Sequence, residues 1–432
     1  MSDDLSTGDA ALHEAVRVLR SPSAIRERSA LIAAAASAGR SEHFTIDRSR
    51  LPAVAGRVAR VTRERYPELK IPYHSRWRHF EAGGVDRKGE LASCWHGRSS
   101  IAVARSCIDL TLVSVLLDAG AGASWSYLER ETGHRFTRSE GLAVATFRAF
   151  VAGRFSSDAG DPCRVDAAAL LRLDDKALAE VFQVDEGNPL VGLAGRAKLL
   201  RQLGVALRDQ PQLFTSIGQP GHLFDALTYH AHAPKLRHHR PAPSAQRHHH
   251  VSAPRILGAL LEAFGSIWPN GLVLGDVPLG DVWRHPAAGG TGSSAGYVPF
   301  HKLSQWLTYS LLEPFEGAGV QVTELDALTG LPEYRNGGLL LDAGVIVPRE
   351  PQALQQRLKV QDPWVVEWRA LTVALIDELA PLVRNELGLT AEQLPLARIL
   401  EGGTWAAGRQ IAAELRDDGA PPVQIESDGT VF

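Results

Sequence analysis

The amino-acid sequence predicts a mainly α-helical, multi-helix globular protein with a short β-like tail at its C-terminal end. Apolar residues recur at helical spacing over residues 100–119, and their wide apolar face predicts a buried helix. Residues 22–38 are rich in alanine and begin with helix-start signals, Ser21 as the cap and Pro22 in the first turn. Near the end of the chain, apolar and polar residues alternate around an Asp-Gly pair, which predicts a short hairpin.

Composition and length limit the classes of protein to consider. The chain has 432 residues and a formal net charge of −3, so it can hold two or three packed subdomains, and its charge gives no general argument for nucleic-acid binding. Its three cysteines form no CxxC pair, which argues against a disulfide framework or a cysteine zinc site. The polar N-terminus and the lack of an apolar run of roughly 18 residues predict a soluble, cytoplasmic protein without a membrane partner.

Three regions follow one another in the predicted organisation, within one integrated unit. Residues 1–229 form a helical region with a loop rich in Arg, His and Trp, residues 230–250 form a linker, and residues 251–432 form a helical region that carries the candidate site. The linker contains seven histidines and three prolines, and a zinc or nickel site is the alternative interpretation. Because metal ligands need fixed geometry, we interpret it as a linker and predict neither a metal nor an organic cofactor.

Proline and glycine set the predicted helix boundaries around the candidate site. Pro299 lies in the first turn and Pro314 at the end of a predicted helix over residues 300–313. Pro332 opens the next one. Further predicted helices cover residues 124–132 and 137–151, the stretch that begins with Asp362 as cap and ends near Gly388, and residues 404–416 after a break at Gly402 and Gly403.

One side of the helix over residues 300–313 is suited to lining a pocket. A solvent-facing helix would normally carry more charges, whereas this one combines aromatic rings with a single cation and hydrogen-bonding groups. The alternative is a core edge, in which each Trp or Tyr satisfies its polar tip inside the protein. The residues assigned to this side are Lys302, Trp306 and Tyr309, with His301 and Gln305 on the neighbouring polar stripe.

A carboxylate, a phenol, a guanidinium and an amide occupy four consecutive positions, Glu333, Tyr334, Arg335 and Asn336. The glycine pair that follows lets another backbone or a ligand approach closely. Because consecutive helical residues point in different directions, we expect only two of the four to face one ligand. We assign the catalytic role to Glu333, with Arg335 or Asn336 as its helper.

The loop over residues 71–86 is crowded with Arg, His and Trp. Guanidinium forks match phosphate oxygens and an indole ring stacks on flat groups, so the loop predicts recognition of a phosphate. The alternative is that the arginines hold helix ends together. The residues assigned to this loop site are His74, Arg76, Trp77, Arg78 and His79.

Two further segments contribute residues to the predicted substrate site. The first is the GDVWRHP segment, which is followed by a glycine-rich run without the lysine of a phosphate-binding P-loop. The second is the start of the helix that follows Asp362. The assigned residues are Asp281, Trp283 and His285 in the first segment, and Glu367 and Arg369 in the second.

Several motifs spread over most of the chain carry a family resemblance. They read PYHSRWRHFEAGGVDR, GDVWRHP, VPFHKLSQWLTYSLLEP, LTGLPEYRNGGLLLDAGV, VVEWRALTVALIDEL, LEGGTWAAGR and SDGTVF. The chain resembles the uncharacterised family that includes the fourth uracil-catabolism protein of fungi, also described as a uracil-regulated protein. That family is associated with a pathway in which uracil becomes its nucleotide, the ring is opened and urea is released. The resemblance therefore implies a small nucleoside or nucleotide derivative as substrate.

A second resemblance implies the chemistry. Queuosine-nucleoside glycosylases, helical proteins of DNA-glycosylase-like fold, carry a lysine-containing helix, then Asp-Tyr-Arg, then a Glu-Val-Glu-Ile-Arg-Ala helix. The chain is similar to them in order but has Glu in place of the first Asp, and Asn-Gly-Gly in place of their Val-Pro-Gln after the Arg. The similar positions are Lys302, then Glu333-Tyr334-Arg335, then Glu367-Trp368-Arg369-Ala370.

The resemblance implies an N-glycosidase that cleaves ribosylurea, its phosphate or a related derivative. In such a cleavage positive charge develops on the sugar, and Glu333 would stabilise it or position water. Lys302 would orient the sugar or the leaving group, Arg335 would steady the carboxylate or a phosphate, and Trp306 or Tyr309 would stack on a planar group.

Two alternatives belong to other classes. A non-catalytic partner or regulator would bind a pyrimidine metabolite without converting it. A phosphoribosyltransferase-like enzyme is less favoured, because the sequence has no strand-ending acidic pair followed by a Thr/Gly phosphate loop and is too helical.

Overall fold

Helices dominate the computed structural model, which describes residues 2–122, 124–229, 249–268 and 271–426. Helices hold 59% of the described residues and strands hold 8%, so the prediction of a mainly α-helical globular protein is confirmed. Within these ranges no helix is both long and apolar enough to cross a membrane. The α-helices in chain order are α1 (Ser2–Leu19), α2 (Pro22–Ser37), α3 (Leu51–Arg65), α4 (Trp77–Phe80), α5 (Arg87–Cys94), α6 (Ser100–Leu116), α7 (Arg138–Val151), α8 (Ala167–Arg172), α9 (Asp175–Phe182), α10 (Leu193–Arg208), α11 (Pro211–Phe214), α12 (Leu223–Thr228), α13 (Ala253–Phe264), α14 (Lys302–Gly317), α15 (Tyr334–Asp342), α16 (Pro363–Leu387), α17 (Leu396–Ile399) and α18 (Trp405–Leu415).

The strands are short and pair two at a time. In chain order they are β1 (Phe44–Ile46), β2 (Ser126–Leu128), β3 (Arg135–Thr137), β4 (His250–Ser252), β5 (Val273–Leu274), β6 (Val277–Pro278), β7 (Val282–Arg284), β8 (Tyr297–Pro299), β9 (Gln321–Thr323), β10 (Ile346–Pro348), β11 (Arg357–Leu358) and β12 (Gln424–Ile425). The antiparallel pairs are β1–β10, β2–β3, β5–β6 and β7–β8, and the parallel pairs are β4–β9 and β11–β12. Strand β12 fits the predicted β-like tail, whereas the predicted turn at Asp428 and Gly429 lies outside the described residues.

The chain folds into two compact units that alternate along the sequence. The first combines Met1–His74, Asn270–Gln305 and Glu324–Glu426, and the second combines Ser75–Pro269 and Trp306–Thr323. The predicted division into 1–229, 230–250 and 251–432 follows chain order and stays a prediction. Most of its linker, residues 230–248, lies outside the described residues.

Helix α16 is the centre of the first unit, and α2, α3 and α15 pack against it. It begins after Asp362 with Pro363 in its first turn, and it ends at Gly388, whose φ of 69° is the left-handed conformation that glycine adopts without cost. Both ends agree with the sequence prediction. Its side chains are buried on nearly every side over its first four turns, which explains a sequence richer in apolar residues than a surface helix allows.

Helix α6 has the same role in the second unit, where α7, α10 and α12 pack against it. It is buried continuously from Ser106 to Leu116. The polar residue Asp109 within this stretch accepts hydrogen bonds from Gln219 Nε2 and from the backbone N–H groups of Val165 and Gly221, at 2.7 to 3.1 Å. The predicted buried helix over residues 100–119 is thereby confirmed, although it ends three residues earlier.

The helix predicted over residues 124–132 is wrong, because this segment forms strand β2. Trp125, Tyr127 and Glu129 are buried, and the residues between them are partly exposed. That alternation is the period of a strand with one buried face. Strand β2 pairs with β3 through the register Tyr127 to Phe136.

The predicted end of a helix at Pro314 is also wrong, because α14 continues to Gly317. A proline inside a helix leaves the carbonyl four residues earlier without its usual donor. Here that carbonyl belongs to Ser310, and it accepts a hydrogen bond of 3.1 Å from Trp77 Nε1. The indole group therefore replaces the missing backbone donor, which explains why the helix passes through the proline.

The predicted chain break at Gly402 and Gly403 is wrong as well. A π-helical turn, Leu400–Thr404, connects α17 to α18 without interruption. A Cβ atom built on Gly403 would lie 2.5 Å from the carbonyl oxygen of Val58 and 2.6 Å from Thr62 Oγ1. These glycines therefore allow the π turn to lie directly against α3.

Candidate functional site

Glu333, the residue predicted to be catalytic, caps the N-terminus of α15 in the first unit. Its backbone is extended, and its carboxylate accepts hydrogen bonds from the N–H groups of Arg335 at 2.8 Å and Asn336 at 2.5 Å. The helix therefore begins one residue after Glu333, because the carboxylate satisfies two of its free N–H groups. The side chain keeps partial solvent exposure.

Burial raises the pKa of Glu333 above the ordinary value of a glutamate. The two backbone hydrogen bonds and the positive charges of Lys302 and His74 act in the opposite direction without cancelling the effect. Two basic side chains are thus close enough to act on this carboxylate. A carboxylate that is partly desolvated and flanked by cations is typical of a functional site.

Lys302 is the first residue of α14, and its position is set by Asp281. The N–H of Lys302 donates to Asp281 Oδ2 at 3.0 Å, and the N–H of Phe300 donates to the Asp281 carbonyl at 2.9 Å. Asp281 directly precedes β7, and its carboxylate thus caps the N-terminus of α14. The predicted helix start at Phe300 is displaced because His301 has a left-handed backbone with φ of 46°.

Asp281 is itself held by a buried ion pair. Arg369 donates to both carboxylate oxygens at 2.8 Å, and Trp283 Nε1 donates to Oδ1 at 2.8 Å. Burial opposes ionisation of Asp281, but the charge and hydrogen bonds of Arg369 hold its pKa well below the usual range. The structure therefore brings together three residues that the sequence assigned to one site.

Gln305 fixes the loop that leads to Glu333. Its side-chain Oε1 accepts from the N–H of Thr329 at 3.0 Å, and its Nε2 donates to Thr329 Oγ1 at 2.9 Å and to the Phe300 carbonyl at 3.0 Å. These bonds tie the segment before α15 to the start of α14. Gln305 thereby holds Glu333 and Lys302 in a defined relation, while its assignment to substrate binding stays a prediction.

The other residues of the predicted quartet have different surroundings. Arg335 donates from its guanidinium to the Gly419 carbonyl at 2.9 Å, so its backbone N–H is the group seen to contact Glu333. Asn336 is buried and donates to the Leu331 carbonyl at 3.0 Å. Tyr334 is partly exposed. The glycine pair admits side chains of neighbouring segments, since a Cβ on Gly337 would meet the ring of Trp368 at 2.6 Å.

His74 and Glu401 form a second titratable pair in the same unit. His74 Nδ1 lies 3.0 Å from Glu401 Oε2, while Arg65 and Tyr66 donate to Oε1 at 2.8 and 2.9 Å. Burial opposes ionisation of Glu401, but the hydrogen bond and charge of His74, with the charge of Arg65, lower its pKa to about 2. Glu333 and Glu401 therefore have pKa values displaced in opposite directions, the arrangement that separates acid and base roles in many enzymes.

His285 and Glu367 form a further pair in the first unit. His285 Nδ1 accepts from the N–H of Ala287 at 3.2 Å, so its proton is on Nε2, which lies 3.4 Å from Glu367 Oε2. Ser41 donates its hydroxyl proton to the other oxygen of Glu367. The three side chains have partners within the protein, and this is the arrangement of a structural network.

His301 is buried beside the end of α1. Its Nε2 lies 2.9 Å from the Leu19 carbonyl, and burial lowers its pKa, so the neutral ring donates to that carbonyl. The imidazole thus anchors the left-handed turn before α14. Its assignment to substrate binding stays a prediction.

The remaining predicted residues lie in the second unit. Arg76 is fully buried, pairs with Asp118 at 3.0 Å and donates to Ser114 and Ser139. Arg78 donates to both oxygens of Glu313 at 2.8 and 3.0 Å. These contacts have the geometry of structural ion pairs, while recognition of phosphate by the two arginines stays a prediction.

The other predicted residues of the second unit are Trp77, His79, Trp306 and Tyr309. His79 packs edge-on against Trp306 with ring centres 5.7 Å apart, and Tyr309 is fully buried.

Glu401, Arg65 and Tyr66 are the residues that the sequence reasoning missed. Glu401 belongs to the LEGGTWAAGR motif, whose glycines predict a chain break from the sequence alone. A carboxylate next to two glycines that permit close helix packing is the signal that could have identified it.

In the described ranges no group of three or more His, Cys, Asp or Glu side chains could hold a metal ion. Most histidines of the predicted linker lie outside those ranges.

Comparison with known proteins identifies the family. Residues 18–432 match the family described as Protein of unknown function (DUF1688). The chain is 39% identical over 422 residues to uracil catabolism protein 4 of Lachancea kluyveri, covering 91% of this chain and 93% of that protein. It is 38% identical over 427 residues to protein urg3 of Schizosaccharomyces pombe, covering 97% of this chain and 99% of that protein. With matches of this extent, the chain belongs to the DUF1688 family, and it is similar to the two fungal proteins along almost their whole length.

Proposed function

We propose that this protein is a cytoplasmic hydrolase of uracil catabolism that cleaves an N-glycosidic bond in ribosylurea, its phosphate or a related derivative. The observation that carries the proposal is the environment of Glu333, a partly desolvated carboxylate under the influence of Lys302 and His74. The name of the Lachancea kluyveri relative supports the pathway. No metal or organic cofactor is needed for the step.

The chemistry follows from where charge develops. When the bond between the sugar carbon and nitrogen breaks, positive charge grows on the sugar ring, and an anionic carboxylate stabilises it. Glu333 would supply this charge and orient the attacking water. Its raised pKa also suits it to receive the proton of that water.

The neighbours of Glu333 support this role. Lys302 would orient the substrate, because its backbone is fixed by Asp281 and its charge already acts on the carboxylate. Arg335 would contribute through its N–H, which holds one carboxylate oxygen in place. A group held in a fixed orientation before the reaction loses little free energy on reorganisation.

A non-catalytic metabolite-binding role is the second candidate. Both oxygens of Glu333 already accept backbone hydrogen bonds as a helix cap, and a cap needs no catalytic function. Such a protein would bind a pyrimidine-derived metabolite and release nothing.

Product analysis separates the two functions. Purified protein is incubated with ribosylurea, ribosylurea 5′-phosphate, uridine and uridine monophosphate, and free urea and uracil are measured. We expect urea from at least one ureido substrate. Saturable binding without any product would favour the metabolite-binding role.

Glu333 variants test the residue that carries the proposal. Glu333→Gln removes the charge and should lower kcat on the order of a hundredfold. Glu333→Asp keeps both the charge and a strong helix cap, so it serves as the matched control and should retain more activity and the parent Tm. A folded Glu333→Gln protein with near-parent kcat would place the chemistry elsewhere.

A further inference from the structure

Arg28 of α2 is a buried arginine that pairs with no carboxylate of the described residues. Its side chain belongs to a residue that is 3% exposed. Within the described part of the chain its guanidinium makes one hydrogen bond, from Nη1 to the Ala288 carbonyl at 3.2 Å, and its buried Nε has no acceptor. A guanidinium stays charged in a protein, and burial of a charge without a partner costs free energy.

The other buried arginines of the described residues show how this cost is normally offset. Arg76, Arg87 and Arg369 each form an ion pair with a carboxylate. Arg196 has no carboxylate partner, but it donates to four backbone carbonyls. Arg28, with one carbonyl, therefore has donors and a positive charge that the described residues leave without acceptors.

The glycine-rich segment between β7 and β8 lies directly against this guanidinium. A Cβ atom built on Gly290 would be 2.0 Å from Arg28 Nη1 and 2.6 Å from its Cζ, so only glycine fits at this position. Residues 289–293 are exposed, and none of their backbone N–H groups donates a hydrogen bond to a described residue. The sequence of this segment lacks the lysine of a P-loop, but the fold places against it an arginine from 260 residues earlier in the chain.

We infer that Arg28 and residues 289–293 form a binding site for the phosphate group of a small molecule. A phosphate has several oxygens, so it can accept from the guanidinium and from consecutive backbone N–H groups at the same time. Its negative charge supplies the partner that buried Arg28 lacks. Three of the five loop residues are glycines, whose backbone changes conformation at little steric cost, so the loop adjusts to admit the anion.

This site differs from the arginine-rich loop from which the sequence predicts phosphate recognition. Arg76 and Arg78 of that loop already pair with Asp118 and Glu313, whereas Arg28 has no such pair among the described residues. The inference concerns binding alone and does not depend on the proposed hydrolysis. Its test therefore gives the same answer whether or not the protein releases urea.

Inorganic phosphate is the probe for calorimetric titration of the full-length protein, with acetate at the same ionic strength as the control anion. We expect saturable binding of phosphate that ribose 5-phosphate prevents and ribose does not. Arg28→Met should weaken phosphate binding about tenfold or more, because it removes a charge-assisted contact. Without phosphate its Tm should equal or exceed that of the parent, since an unpaired buried charge is lost.

Arg130→Met is the matched control for net charge, because Arg130 is exposed in the second unit. It should bind phosphate as the parent does. Hydrogen exchange of the parent locates the site without any variant, since phosphate should slow exchange of the N–H groups of residues 289–293. If Arg28→Met does not fold, this measurement decides.

Four results would overturn the inference. They are no binding by the parent at up to about 10 mM phosphate, parent-like affinity in folded Arg28→Met, protection from exchange only outside residues 289–293, and no competition by ribose 5-phosphate. Equal binding of acetate and phosphate would likewise show that the loop recognises no phosphate group.

Discussion

At the scale of single residues, Glu401 has surroundings that differ clearly from those of a surface glutamate. It accepts hydrogen bonds from three side chains, His74, Arg65 and Tyr66, and its own side chain is 9% exposed. These partners lower its pKa from 4.5 to about 2 against the cost of burial. Because the pKa is lower in the folded than in the unfolded protein, ionised Glu401 stabilises the fold.

This linkage predicts how stability depends on pH. The contribution is fully present above pH 4.5 and is lost as pH falls from about 4.5 to about 2. A difference of this size corresponds to about 3 kcal/mol of unfolding free energy. Urea unfolding of the parent and of Glu401→Gln between pH 6 and pH 3 would measure it. We expect the variant to be less stable at pH 6 and to lose less stability on acidification; equal slopes would contradict the assignment.

At the scale of elements, the π turn Leu400–Thr404 depends on close approach to α3. A Cβ on Gly403 would meet the Val58 carbonyl oxygen at 2.5 Å and the Val58 side chain at 2.6 Å. Backbone atoms cannot move aside as a flexible side chain does, so Gly403→Ala should lower the unfolding free energy by at least about 2 kcal/mol. It should also displace Glu401 from its contact with His74.

Gly56→Ala, on the helix α3 against which the π turn packs, is the matched control. No described heavy atom lies within 4 Å of a Cβ at this position. Alanine restricts the unfolded chain more than glycine does, so this variant should be more stable by roughly 0.5–1 kcal/mol. Thermal unfolding of both variants distinguishes a packing requirement from a general intolerance of alanine; similar Tm values for the two would show that the π turn can shift.

At the scale of the whole molecule, the proposed reaction runs on protein side chains. Glu333 and Lys302 supply its charges and Glu333 accepts the proton of the attacking water, so we expect activity to survive dialysis against EDTA. Measurement of urea release before and after dialysis, and after addition of Zn²⁺, checks this. A loss that Zn²⁺ restores would assign a ligand role to the histidines between residues 230 and 250.

Features that depend on neighbouring residues could be predicted from the sequence. The helical class follows from apolar spacing, and α16 was located at both ends because its cap, proline and glycine are local signals. The candidate residues Glu333 and Lys302 were chosen from their chemistry, and the family was identified from motifs along the chain.

Features that depend on distant partners could be identified only from the folded chain. Helix α14 passes through Pro314 because Trp77, more than two hundred residues earlier, supplies the missing donor. Strand β2 has only three residues, and its pairing with β3 defines it as a strand. Glu401 becomes a candidate only when the chain places it beside His74, since hydrogen bonds and desolvation, which set a pKa, act through space and not along the sequence.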